Sequence, residues 1–207
     1  MSKEPGGFPL IDAWSDQHPD KPGGAAFGVM IEALRGFLDK VAAAAPDQAT
    51  MEELSQDLGK WSQKLSAFAV GEREQFFAHR MDLPGRGQVM SPRFIVQEGD
   101  RNSVRGTVTF GRYYLGGNGA VHGGAIPLLF DEVLGRLANS GARPRSRTAY
   151  LHVDFRSITP VGPELTVRGW YEREEGRKRF IRGELRHGDV LCAEAEGLFV
   201  ELKPGQP

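Results

Sequence analysis

The sequence predicts an α+β fold in which an antiparallel sheet curls around one long buried helix, with a pair of amphipathic helices in front. Three observations lead there. Residues 121–138, VHGGAIPLLFDEVLGRLA, are apolar on nearly every side when wound as a helix from about Gly124, and such a helix is buried. Up to about residue 85 the apolar residues recur at helical spacing, and beyond it they alternate at the period of two that marks strands. Two strand-like segments precede the central run and four follow it, with turn residues between them. That order describes an antiparallel sheet curled around a helix.

Taken in order, residues 1–24 are rich in Gly, Pro, Asp and Lys and read as an irregular arm whose Phe8, Leu10, Ile11 and Trp14 are available for docking. Residues 25–85 read as a helical extension. Its first helix carries Phe27, Ile31, Leu34, Leu38 and Val41 on one stripe and stops before Pro46. The second opens with Thr50 and Glu53 in capping-box spacing and continues through Leu54, Leu58, Trp61, Leu65 and Phe68. Together they suggest a hairpin whose stripes are its own core or a cover over the neighbouring domain. A polar, glycine-rich stretch at 71–87 marks the boundary, so a second globular unit is expected over 86–204.

Within that unit, strands are expected at 89–97 and 103–110, on either side of a GDRN turn, followed by a loop over 111–121 that holds Tyr113, Tyr114, Gly116, Gly117, Asn118 and Gly119. After the central helix and a basic loop at 141–147, strands are expected at 148–157, 165–171, 179–186 and 190–201. Strict alternation in the first of these places Ala149, Leu151, Val153 and Phe155 on the apolar face. It therefore turns Thr148 away from the helix, together with Tyr150, His152, Asp154 and Arg156.

Charge and composition exclude several classes of function. The 207 residues carry a formal net charge of -1, which gives no bulk attraction to nucleic acid or to a membrane surface. The balance is uneven: residues 1–85 hold 13 acids against 8 bases, a net of -5, and the remainder has a net of +4. A moderately basic carboxy-terminal part suits a small anionic ligand. Cys192 is the only cysteine, so neither an intrachain disulfide nor a cysteine-rich metal site is possible. His122 and His152 form no metal-binding motif by their spacing, and no metal is expected. The opening MSKEPGGFPLIDAW lacks an apolar signal core, and no run approaches the 18 to 20 apolar residues of a membrane span. A cytoplasmic protein is expected.

Chemistry concentrates in the central run. Asp131 and Glu132 follow Leu128-Leu129-Phe130 without a break, and an ionised carboxylate taken out of water needs hydrogen bonds or a counter-charge, or its pKa rises. Either both acids are paired at an interface, or one of them works. At the start of the helix the backbone N–H groups are unsatisfied and attract negative charge. Gly123 and Gly124 leave them open to close approach.

The order of strand, strand, loop and His-Gly-Gly helix, with Asp131 nine residues after His122, then TAYLHVDFRSITPVG, EEGRK and a last strand ending AEGLFVELKP, resembles the hotdog-fold acyl-CoA thioesterases. The resemblance covers about residues 88–203 and is nearest to the branch of the phenylacetate-pathway enzymes and their animal relatives with amino-terminal helices. It implies that the Gly123 N–H donates to the oxyanion and that Asp131 is the general base or the nucleophile that forms a mixed anhydride. Thr148 matches the position that holds the attacking water or orients the carboxylate. Glu132, the competing acid, lies about 100° round the helix from Asp131. For His122 two roles stand level, a bond to the substrate carbonyl or satisfaction of local backbone. Some relatives carry an Asn six residues before the His, where this chain has Gly116; its nearest amide is Asn118. Gly124 and Asn118 are candidates for contact with the acyl-CoA, and Arg156, Arg177, Lys178 and Arg145 for its phosphates.

Coenzyme A enters such a reaction as part of the substrate, and no cofactor is implied. Gly123 and Asp131 are eight residues apart, roughly 12 Å along one helix, too far to act on one carbonyl. Two subunits related by a two-fold axis would bring Gly123 of one beside Asp131 of the other, so a homodimer is expected, with a dimer of dimers as an extension. The alternative from another class is a non-catalytic acyl-CoA binding or sensing module, because fold does not fix function.

Overall fold

The protein is described by a computed structural model over residues 22–206; the arm expected at 1–24 lies almost wholly outside the described residues. Two helices come first, α1 (Gly24–Ala43) and α2 (Gln48–Ser66), the helical pair that the periodicity predicts. The docked face of α1 runs along residues four apart. Phe27 and Ile31 are buried, and the Arg35 guanidinium donates to the carbonyls of Ser91 and Gln88. Asp39, one turn further, accepts from the Tyr113 N–H. Leu34 and Val41, assigned to this face by their spacing, are exposed instead. The polar ends of Arg35 and Asp39 reach backbone groups that no leucine could satisfy.

The second helix begins two residues ahead of Thr50. Asp47 is its N-cap, and the Asp47 carboxylate accepts the Thr50 N–H at 2.9 Å, a bond that holds its pKa below the ordinary value. An acid at the cap both accepts a free N–H and meets the positive end of the helix dipole. α2 has no buried residue, and its Leu58, Trp61 and Leu65, like Phe68 just past its end, are exposed. The cover over the neighbouring residues is therefore made by α1.

Six antiparallel strands form one sheet in the order β1-β2-β6-β7-β8-β5. They are β1 (Phe94–Gly99), β2 (Ser103–Thr109), β5 (Ser146–Phe155), β6 (Glu164–Glu175), β7 (Lys178–His187) and β8 (Val190–Glu201). A small hairpin, β3 (Leu115–Gly117) with β4 (Ala120–Val121), lies in the stretch read as loop. Residues 89–93, read as strand, are not one. Pro92 brings no N–H, and the carbonyls of residues 88–91 accept from Arg35 and from the Tyr114 hydroxyl rather than from a neighbouring strand.

Between β4 and β5 lies α3 (Ala125–Ala138), in which Leu129, Phe130, Val133, Leu134 and Leu137 are fully buried. The sheet receives it through a row of small residues in register, Gly169 on β6, Gly183 on β7 and Ala195 on β8. A Cβ on Gly183 would stand 3.0 Å from the Phe130 ring, and one on Gly169 would stand 3.0 Å from Leu134. These glycines let the helix sit close enough for its large side chains to fill the space on either side of the row. The result is an antiparallel sheet packed around one central helix, the α+β hotdog arrangement.

Candidate active site

The chain enters α3 through a segment held from both sides. The Val121 N–H donates to the Thr159 carbonyl at 2.8 Å and the His122 N–H to the Tyr114 carbonyl at 2.7 Å. Past them, the Gly124 N–H donates to His122 Nδ1 at 3.0 Å, and the Ala125 N–H returns to the His122 carbonyl at 2.9 Å. Every donor around Gly123 is engaged, whereas the exposed Gly123 N–H has no hydrogen-bond partner within the described residues. His122 thus serves the local backbone through its Nδ1, which accepts from the Gly124 N–H. The Gly124 N–H is occupied by that bond, which leaves Gly123 as the open donor at the start of the helix.

Asn118 is exposed at the tip of the β3–β4 turn, with φ 49° in the left-handed region that Asn tolerates. No side chain fits at Gly116: its Cβ would lie 2.8 Å from the His122 Cα. The amide that some relatives carry there has no room in this hairpin.

Asp131 faces away from the core. Its neighbours Leu129 and Phe130 are fully buried against the sheet while Asp131 is exposed. The desolvation expected of that apolar run is therefore not supplied within the chain, because the neighbours project from a different side of the helix. The Thr148 hydroxyl donates to Asp131 Oδ1 at 3.0 Å, and Oδ2 has no partner within the described residues. Alternation had sent Thr148 to the opposite face. In the structure Thr148 pairs with Phe199 and Tyr150 with Leu198 on β8, so Ala149 is an extra residue, a bulge, and a bulge re-aims the side chains beyond it. Ser146 and Thr148 turn to the helix before the bulge, and Leu151 and Val153 after it. Phe155, assigned to the apolar face, is 57% exposed and lies beside Gly123.

Glu132 is engaged elsewhere. Its buried carboxylate meets Arg86 Nε at 3.0 Å and Arg136 Nη1 at 3.4 Å, and Arg136 also donates to the Met81 carbonyl at 2.7 Å. The pair of arginines fixes residues 81–86 on α3.

The predicted cations separate into two places. Arg156 lies past the end of β5, paired with Glu194 and Asp154. Arg145, Arg177 and Lys178 lie at the opposite end, the Thr148 end. Arg177 donates to the Glu201 carbonyl at 2.8 Å, and Lys178 is in register with Arg147 across Val200 of β8. The sequence reading passed over Arg147, although the run RPRSRT places it directly before Thr148. Among the described residues no group of three or more His, Cys, Asp or Glu is arranged to hold a metal ion, and no helix is long and apolar enough to cross a membrane.

The sequence model of the Thioesterase superfamily matches residues 118–196, the span from the β3–β4 turn into β8. Acyl-coenzyme A thioesterase THEM4 of Bos taurus is 32% identical over 96 residues, 45% of this chain and 39% of that protein. Its Xenopus laevis counterpart is 34% identical over 99 residues, 45% of this chain and 43% of that protein. The chain thus spans about two-fifths of the length of these relatives in the matched region. Among solved structures, a thioesterase superfamily protein superposes with a TM-score of 0.73 at 29% identity, covering 86% of this chain and 96% of that one. A phenylacetic acid degradation-related protein from Ralstonia eutropha JMP134, 21% identical with a TM-score of 0.52 over 60% of this chain and 98% of its own, shares the fold.

Proposed function

We propose that the protein hydrolyses acyl-CoA thioesters to free acid and coenzyme A, a reading supported by the match of residues 118–196 to the Thioesterase superfamily model. The observation that carries the reading is the outward side of α3, which offers an open N–H at Gly123 and, at Asp131, a carboxylate held by Thr148 with one oxygen free. Water bound at that oxygen gives its proton to Asp131 as its own oxygen adds to the thioester carbonyl carbon. The charge that develops on the carbonyl oxygen is met by the Gly123 N–H. Collapse of the adduct breaks the C–S bond, and the coenzyme A thiolate recovers the proton from Asp131. The same free oxygen would attack the carbonyl directly in a route through a mixed anhydride.

Eight residues of helix separate the two groups, roughly 12 Å, so each site joins Gly123 of one subunit with Asp131 of another in a homodimer. The exposure of both residues in the single chain, and the position of β5 as a free edge of the sheet with Phe155 and Ile158 exposed at its end, support this. A dimer of dimers is compatible with the same arrangement. Arg145, Arg147, Arg177 and Lys178 form the basic rim through which the phosphates of coenzyme A would be recognised. His122 holds the loop rather than the substrate. A cytoplasmic setting belongs to the same reading, and the buried free thiol of Cys192 is compatible with it.

Thiol release from short, medium, long and aromatic acyl-CoAs, measured for the wild type and Asp131→Asn in parallel, tests the proposal. Loss of turnover by a factor of about 100 or more in the variant, with acyl-CoA affinity and assembly size retained, is the expected result. Binding without thiol release by the wild type would favour a non-catalytic acyl-CoA binding module instead.

A further inference from the structure

The helical extension is joined to the Gly123 segment by a short chain of contacts. Asp39, near the end of α1, accepts the Tyr113 N–H at 2.9 Å and so fixes the single 3-10 turn Arg112–Tyr114. The last residue of that turn gives its carbonyl to the His122 N–H at 2.7 Å, the residue directly before Gly123. Two further observations tie α1 to this turn. Gly111 has φ -74°, a conformation open to any residue, so it is not glycine for its backbone; a Cβ there would collide with the Asp39 carboxylate. Tyr114, partly buried against the core, sends its hydroxyl to the carbonyls of Val89 and Met90 at 3.3 and 3.1 Å, in the same stretch whose other carbonyls Arg35 engages. Asp39 therefore holds the turn on which His122 hangs, and Arg35 of the same helix holds the 88–91 stretch to which the Tyr114 hydroxyl is bonded.

We propose that Asp39 is a positioning residue for the oxyanion donor, acting through the Arg112–Tyr114 turn and the His122 backbone to aim the Gly123 N–H. The amino-terminal helix is then part of the catalytic geometry rather than a lid over it. The inference rests on the thioesterase reading but concerns a residue that neither touches substrate nor belongs to the hotdog sheet. An oxyanion donor acts by its direction, so a small displacement lowers the rate without lowering affinity for the bulk of the ligand. Asp39→Ala removes the acceptor, Asp39→Asn keeps one acceptor oxygen, and Gly111→Ala expels the carboxylate by bulk.

Two unreactive ligands read the effect without turnover: an acyl-CoA in which the thioester sulfur is replaced by methylene, a ketone that keeps the carbonyl, and the thioether that lacks it. The wild type is expected to bind the ketone more tightly than the thioether, Asp39→Ala and Gly111→Ala to lose that preference, and Asp39→Asn to recover most of it. Thioether affinity should stay unchanged throughout. In parallel, kcat should fall about tenfold in Asp39→Ala with KM within a factor of about two, part of the 10²–10³ that loss of a whole oxyanion donor costs. A ketone preference that survives in Asp39→Ala overturns the inference and leaves the thioesterase reading standing. Equal weakening of both ligands also overturns it, since that is the mark of general disruption. A wild type that never discriminates between the ligands removes the oxyanion role of Gly123 and the inference with it.

Discussion

Replacing Thr148 by valine keeps the shape of the side chain and removes one hydrogen bond, the 3.0 Å donation to Asp131 Oδ1. A hydrogen bond to a charged group contributes about 1.5–3 kcal/mol. Both partners are exposed in the chain, which places this one at the lower end, about 1.5 kcal/mol, or roughly tenfold in rate. The bond orients a carboxylate for a proton transfer, so the loss should appear in kcat and leave KM within a factor of about two. Thiol release under saturating acyl-CoA measures it, with Thr148→Ser as the conservative control that keeps the hydroxyl. The decisive comparison is the double variant with Asp131→Asn. If Thr148 works through Asp131, its replacement costs nothing further once the carboxylate is gone, a coupling of about 1.5 kcal/mol in the cycle. Full activity in Thr148→Val, or the same tenfold loss on the Asp131→Asn background, would refute the pairing as a catalytic unit.

Glu132→Ala should lower the urea-unfolding free energy by about 2–3 kcal/mol, the cost of breaking a buried ion pair reduced for the partial exposure of Arg86; a loss below about 0.5 kcal/mol, the level of an ordinary surface change, would show that Glu132 does not brace residues 81–86. Burial pushes the phenols of Tyr114 and Tyr171 up to about 12. Since the folded values lie above the ordinary value near 10, the stability linked to them is complete below pH 10 and is lost as pH rises through 12. Tyr114→Phe should delete a late step from the tyrosinate absorbance titration, and a folded protein in which that step falls near 10 would contradict the burial.

What the sequence discloses of this fold is what hydrophobic periodicity can encode. α3 is apolar almost all round, so its central place and its start near Gly124 follow from composition alone, and the bounds of β8 emerge as read. The errors lie where a backbone group finds an unexpected partner. Residues 89–93 have strand composition, but Arg35 and Tyr114 take carbonyls that a strand would offer its neighbour. Arg35 and Asp39 resemble ordinary surface charges of an amphipathic helix, and only their partners 56 and 74 residues away reveal them as the docked side. Thr148 is the sharpest instance. One inserted residue at Ala149 reverses the parity of the strand, and no pattern of polar and apolar residues marks a bulge whose two sides are each regular.

Asp131 and Glu132 show why neighbouring acids of one helix diverge. About 100° of rotation separates them, enough to carry Glu132 under residues 81–86, where a longer side chain reaches two guanidinium groups, and to leave Asp131 at the margin of the sheet. What then fixes Asp131 is the depth at which α3 sits. Thr148 belongs to β5, hydrogen-bonded to β8, and Asp131 belongs to a helix lodged against Gly169, Gly183 and Ala195. A methyl group added at Gly183 would press on Phe130, the residue directly before Asp131. The 3.0 Å bond between Thr148 and Asp131 is accordingly set by glycines on β6 and β7, strands that carry neither partner of the bond, and the geometry of the site is an outcome of how closely the core allows the helix and sheet to meet.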